Sequence, residues 1–227
     1  MKLKAVLEWI DGVLETGKFD DVSNNGLQIG RRSDEVRKVA FAVDASLASV
    51  RDAAAAGADL LVVHHGISWG GGLKRVTGSV YDIVRTAVEA DLALAGYHLP
   101  LDANERVGNN FELAREMRLT AVEKAFNYHG NVIGLVGTAP DVRRIGVCSG
   151  GAGAFAPEAK ELGCDLYVTG EADWGEVIAA ENAGMAMECR GHYETETRGV
   201  SALMRLMRAE LGIETVFISR RSEGGVK

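Results

Sequence analysis

No stretch of this sequence holds the roughly 20 consecutive apolar residues that a helix needs to cross a bilayer. A helical membrane protein is therefore excluded. The opening residues, Met1-Lys2-Leu3-Lys4, lead into an amphipathic pattern and lack the continuous apolar core of a secretory signal. A cytoplasmic location with no membrane partner is expected. Cysteine is scarce: Cys148, Cys164 and Cys189 are an odd number with no C-x-x-C spacing, which excludes a disulfide framework and a cysteine zinc cage. Each sits in or beside an apolar run and is expected to be a small buried core thiol. A basic cluster is missing as well. The formal net charge is -7, and the pairs Arg31-Arg32, Arg143-Arg144 and Arg220-Arg221 are isolated, as in solvated loops or strand ends. Such a chain is a poor partner for nucleic acid. A phosphorylated small substrate is compatible with it, because bound metal ions can supply local positive charge.

The 227 residues, 47% hydrophobic and 25% charged, suffice for one large or two small α/β domains. Leu3, Val6, Leu7, Ile10, Val13 and Leu14 share one helical face. Residues 36–43 read as a strand, with Asp44 or Ser46 placed to cap the Ala-rich helix that follows and Gly57 to end it. The short apolar run 60–63 has the character of a buried parallel strand and is closed by His64-His65-Gly66. A helix over 79–90 leads to a strand over 92–95 and into Gly96-Tyr97-His98-Leu99-Pro100-Leu101-Asp102. This alternation predicts an α/β fold with mainly parallel strands.

The second half repeats the first. Val36-Arg37-Lys38-Val39 matches Val142-Arg143-Arg144-Ile145, and the run from Gly57 to His65 matches that from Gly163 to Glu171, both at an offset of 106 residues. A His-x-x-x-acid pair also occurs in each half, as His98 with Asp102 and His192 with Glu196. Two similar α/β lobes are expected, residues 1–125 and 126–227, with a metal site between them.

Of only five histidines, His64, His65, His98 and His192 fall just after predicted strands. The carboxyl ends of parallel strands line the ligand crevice of open α/β sheets, so these side chains should converge. Imidazole and carboxylate are ligands that zinc, iron and manganese accept. Successive histidines on a regular strand point to opposite faces, whereas a pair at a frayed strand end can serve two neighbouring ions. His192 and Glu196, four residues apart, share one face of a helix, and a carboxylate such as Glu196 can bridge two ions. Asp102 gains weight from His98 and the repeat. His98 itself reads either as an orienting group or as a ligand. Glu171, the repeat partner of His65, reads either as a general base or as a carboxylate at a helix start. His129 belongs to a surface loop. Ser149-Gly150-Gly151-Ala152-Gly153 reads as a tight turn, with a phosphate cradle as the alternative.

These residues carry a family resemblance. Asn24-Asn25-Gly26-Leu27-Gln28, Val62-Val63-His64-His65-Gly66, Tyr97-His98-Leu99-Pro100-Leu101-Asp102, Gly108-Asn109-Asn110, Thr169-Gly170-Glu171 and Gly191-His192-Tyr193-Glu194-Thr195-Glu196 occur in the order found in the Nif-three-like family, also called the GTP cyclohydrolase I type 2 homologues. The chain resembles a short member without the large inserted domain of longer relatives, and Ser23-Asn24 stands where the family often has Asp before Asn. The resemblance implies a dinuclear centre held by His64, His65, Asp102, His192 and Glu196, with Glu196 bridging, two similar lobes, and a toroidal homohexamer. Two divalent ions per chain, zinc, iron or manganese, support a metal-dependent hydrolase acting on a nucleotide or phosphoester, with Glu171 and His98 as its acid–base candidates. The rival reading is a non-enzymatic protein of metal storage, delivery or regulation that uses the same ligands.

Overall fold

The computed structural model describes residues 1–219, which divide into two compact units. The first comprises Met1–Gly17, Asp21–His98 and the described residues from Leu203 onward; the second comprises Lys18–Asp20 and Leu99–Ala202.

In the first unit, α1 (Leu3–Leu14) is followed by β1 (Gly26–Ile29), β2 (Lys38–Asp44), α2 (Leu47–Ala55), β3 (Leu60–His65), α3 (Gly78–Glu89) and β4 (Ala93–Gly96). The last strand among the described residues, β10 (Glu214–Phe217), completes a sheet of order β1-β4-β3-β2-β10. Only β1 runs antiparallel to its neighbour. Helix α1 buries Leu3, Val6, Ile10 and Leu14, as its 3.6-residue period requires. Ser46, rather than Asp44, caps α2: its hydroxyl accepts the N–H of Ser49, whose own side chain reaches back to close a capping box. Alternation along the strands turns Ala40, Ala42, Leu61 and Val63 toward Val50 and Ala53 of α2 and Ile83 and Ala87 of α3.

The second unit holds α4 (Leu99–Ala103), α5 (Asn109–Glu116), β5 (Thr120–Tyr128), β6 (Asn131–Thr138), β7 (Arg144–Gly151), α6 (Ala156–Glu161), β8 (Leu166–Glu171), α7 (Trp174–Ala183), β9 (Met187–Cys189) and the first part of α8 (His192–Leu211). Its sheet has the order β5-β6-β7-β8-β9, antiparallel through β5, β6 and β7 and parallel from β7 to β9. Phe126, Cys148, Ala159, Cys164 and Tyr167 form one part of its core.

The repeat is visible in the register of pairing. Val39 opposite Leu60 and Ala42 opposite Val63 recur as Ile145 opposite Leu166 and Cys148 opposite Thr169, all shifted by the same 106 residues. Beyond Cys148 a bulge interrupts the second copy and puts Gly151 opposite Glu171, where the first copy has Asp44 opposite His65. Mainly parallel α/β architecture is thus observed. The contact-defined units are cut after His98 and after Ala202, whereas the 125/126 division expected from the repeat falls inside β5.

Several local expectations need correction. His64 and His65 are the last two residues of β3 itself, not a frayed end beyond it. Cys148 and Cys164 are buried, but Cys189 is exposed on the short edge strand β9. Arg31 is not solvated: its side chain is 7% exposed and pairs with Asp59 at 2.8 Å and Asp91 at 3.3 Å. Burial alone would raise the Asp59 carboxyl, but the N–H groups of Arg37 and Lys38 and the Arg31 guanidinium outweigh it and hold it below the usual carboxylate range. Arg143 and Arg144 are exposed and partly exposed surface residues, as expected. Arg220-Arg221 lies outside the described residues. No helix among the described residues is long and apolar enough to cross a membrane.

Candidate metal centre

The first unit gathers three imidazoles at the carboxyl ends of β3 and β4. His64 is fully buried, and its Nδ1 lies 3.0 Å from the carbonyl oxygen of Tyr97. His65 Nδ1 lies 2.8 Å from Asp44 Oδ1, the residue directly opposite it in the parallel register. His98, just past β4, has Nδ1 3.0 Å from Asp21 Oδ1. Although alternation along β3 sends successive side chains to opposite faces, the His64 and His65 ring centroids are only 4.5 Å apart. The potential ligand atoms of His64, His65 and His98 all lie within 4.8 Å of one another. Trp69 closes this cluster with an edge-on contact to His98, centroids 5.0 Å apart.

Asp21 is held by several hydrogen bonds. Burial pushes its carboxyl up, but hydrogen bonds from His98, Asn25 and the Ser23 N–H prevail and bring it down to about 2. It is therefore ionised at neutral pH and can only accept, which makes His98 Nδ1 the protonated nitrogen. A carbonyl oxygen imposes the same tautomer on His64.

The second unit supplies the carboxylates and the fourth imidazole. Asp102, buried in α4, has Oδ1 held by the Asn109 amide at 2.9 Å and the Ser149 hydroxyl at 3.0 Å. Asn109 in turn accepts the N–H of Gly199 at 2.7 Å, so one amide links Asp102 to α8. At the start of α8, His192 Nε2 lies 3.0 Å from Glu196 Oε1, one helical turn on, and His192 Nδ1 lies 2.8 Å from Glu171 Oε1. The hydrogen bond to Glu196, against the opposing effect of burial and helped by Glu171, raises His192 to about 9. Glutamate 171 therefore stands at the end of β8 as the oxygen partner of an imidazole.

The glycine-rich end of β7 makes room for this helix start. A β-carbon on Gly150, whose φ is +69°, would sit 2.4 Å from Glu196 Oε1, and one on Gly170 would meet the Thr195 hydroxyl at 2.6 Å. The N–H groups of Ser149, Gly150 and Ala152 are taken by Asn110, Thr195 and Thr169. These three amides are spent internally, and in place of the expected tight turn residues 149–151 form the bulged end of β7, with a single 3-10 turn following over Gly153–Phe155. His129 sits exposed in the turn joining β5 to β6, as expected.

An oxygen acceptor lies on Nδ1 of all four histidines. In His64, His65 and His98 it directs the lone pair to Nε2, whereas His192, raised to about 9, also donates its Nε2 proton to Glu196 and must lose it to bind an ion. An acceptor on Nδ1 is how imidazoles are prepared for metal, fixing tautomer and ring orientation. With carboxylates as the other donors and no thiol among them, the set suits zinc, iron or manganese. The sequence did not single out the acceptors Asp21, Asp44 and the Tyr97 carbonyl, nor Ser149 as a partner of Asp102. Only the place of Asp44 at the end of β2, level with His65, could have signalled its role.

Two α/β units, one with imidazoles at the ends of parallel strands and one with carboxylates and an imidazole on helices, define an α/β protein whose side chains could hold metal. The chain belongs to the Duf34/NIF3 (NGG1p interacting factor 3) family, which matches residues 1–141 and 121–223. It is 38% identical to a Deinococcus radiodurans protein described as a GTP cyclohydrolase 1 type 2 homolog, over 94% of this chain and 91% of that one. It is 39% identical to a namesake from Archaeoglobus fulgidus, over 96% and 98% of the two chains. Among solved structures it resembles the protein ybgI, with a TM-score of 0.89 at 27% identity over 99% of this chain and 100% of the other. A Thermus thermophilus protein superposes with a TM-score of 0.82 at 30% identity over 98% of this chain and 100% of its own.

Proposed function

We propose that this chain binds two divalent ions through His64, His65, Asp102, His192 and Glu196, with Glu196 bridging, and uses them to hydrolyse a nucleotide or phosphoester. The observation that carries this reading is the shared preparation of four imidazoles by Nδ1 acceptors. That the donors of both units serve one centre is supported by the four-residue step from His98 to Asp102 and by the donor chemistry. Glu196 is the natural bridge because a carboxylate has two oxygens to share.

Two divalent ions, when bound, acidify a water and neutralise charge developing on the substrate. The protein's own groups do the rest. Asp44, the Tyr97 carbonyl and Glu171 keep the rings of His65, His64 and His192 turned, and Asn109 with Ser149 holds Asp102. His98, oriented by Asp21, would take a proton from the nucleophilic water on Nε2 and pass that same proton to the leaving group. Glu171 acts first as the orienting partner of His192, and as a base only if its second oxygen reaches the nucleophile. The name borne by the relatives supports a nucleotide as substrate, and a homohexamer is the assembly proposed for the chain.

The test is to load the protein with zinc, iron or manganese and offer GTP, GMP and p-nitrophenyl phosphate beside a Glu196→Gln control. Turnover that depends on the ion and vanishes in the control supports a hydrolase. Stoichiometric ion binding with no turnover on any of the three transfers the reading to a metal-delivery or regulatory protein.

A further inference from the structure

We infer that Gln28 and Asn25 are positioning residues that pin the two turns presenting the histidine cluster, an inference that rests on reading that cluster as metal-binding. One short segment, Asp21–Gln28, reaches both turns. Gln28, on the edge strand β1, accepts the N–H groups of Ile67 at 2.7 Å and Ser68 at 3.1 Å on Oε1, and its Nε2 donates to the Asn24 carbonyl at 2.9 Å. These are the residues that follow His65 and Gly66. Its amide also lies against Gly66 and Gly96, where any β-carbon would overlap it. Gly96 precedes Tyr97, whose carbonyl holds His64. Asn25 works on the other turn: its Oδ1 accepts the His98 N–H at 2.8 Å, and its Nδ2 donates to Asp21 Oδ2 at 3.0 Å. It thereby fixes both the backbone of His98 and the carboxylate that holds the ring. Pairing of β1 with β4 uses backbone groups alone, so the sheet itself does not demand an amide side chain at 28. The turn that leaves β3 directly after His65 and the one that carries His98 do demand it, because loops hold functional groups less accurately than strands unless braced.

The test uses the full chain stripped of metal by a chelator. Cobalt(II) is titrated in, followed by its d–d absorption, and histidine ring 15N shifts are recorded on the metal-free protein. Gln28→Met keeps length and loses the acceptor; it should weaken cobalt binding about 10–100-fold, the usual cost of losing a supporting partner. Gln28→Glu keeps the accepting oxygen and should restore most of the affinity. Asn25→Ala should replace the fixed Nδ1–H tautomer of His98 with an average of the two, while His192 is unmoved. Wild-type cobalt affinity in Gln28→Met together with unchanged His98 shifts in Asn25→Ala would overturn the inference. A merely structural role would lower the melting temperature of the variants and leave the spectrum and tautomers alone, and that pattern also counts against it. Should the wild type take up no cobalt, the metal reading fails, while the tautomer measurement still decides the positioning role.

Discussion

Asp44 and Glu171 do one task on two scaffolds. Asp44 ends β2 and holds His65 on β3; Glu171 ends β8 and holds His192 on α8. Asp44→Asn and Glu171→Gln should each lower ion affinity about 10–100-fold, since an amide oxygen is the weaker acceptor and leaves the ring less basic. Chelator competition measures this. Turnover per bound ion separates the roles of Glu171: a fall of about 10²–10⁴-fold marks a base, and no fall leaves it an orienting group. Gly150→Ala should displace Glu196 and cost about 1–3 kcal/mol, because alanine must take a positive φ and its methyl enters the carboxylate's space. Full ion content in that variant, with unchanged urea stability, would sink this account. The five residues proposed as ligands could be picked from the sequence because each lies at the end of a strand or in the helix that follows one. Their partners could not, because Asp21, Ser149 and Asp44 become neighbours only through sheet register and turn path.

Among whole elements, the Arg31–Asp59 pair ties the segment before β2 to the start of β3. Arg31→Ala should cost about 3 kcal/mol, the lower end for breaking a buried ion pair, since it strands the Asp59 carboxylate. The folded Asp59 titrates below its unfolded counterpart, so its contribution is complete above the ordinary carboxylate value of about 4 and lost as pH falls through the lowered folded value. The stability gap between wild type and Asp59→Asn in urea should therefore narrow in acid; a gap that widens would refute the pairing. Two adjacent arginines in an acidic chain read as surface because nothing local reveals partners at Asp59 and Asp91. Cys189 misled for a related reason: the run before it is apolar, but β9 is an edge strand of three residues, and the outer side of an edge meets water. The elements themselves were legible from period and caps, and the 106-residue offset proved to be an offset of strand register.

At the scale of the whole molecule, freshly purified protein should carry two ions per chain by elemental analysis, and His65→Ala combined with His192→Ala should lose most of them. One ion or none in the wild type counts heavily against a dinuclear centre. Added ion at about 100 times its dissociation constant should stabilise the fold by about 2.7 kcal/mol per site, seen as a raised melting temperature absent from the double variant. Light scattering should report six times the 24.2 kDa chain mass, and a stable monomer would remove the hexamer. The α/β class was legible in the sequence. The return of β10 to β2 was not, since it leaves no local mark.

That return governs the order in which the molecule can be built. Until Glu214–Phe217 leave the ribosome, β2 has one open edge, and its residues Val39–Val43 are among the most buried in the finished protein. At about 5–20 residues per second, the wait is on the order of ten to thirty seconds. The second unit, nearly continuous from Leu99 to Ala202, does not need β10, so the part of the chain made first is the part finished last. An apolar strand edge held open for so long is where a chaperone would engage the nascent chain. Proteolysis of released chains truncated near residue 210 should find 99–202 already protected and β2 still open to cleavage; equal protection of both would show that the first sheet holds without β10.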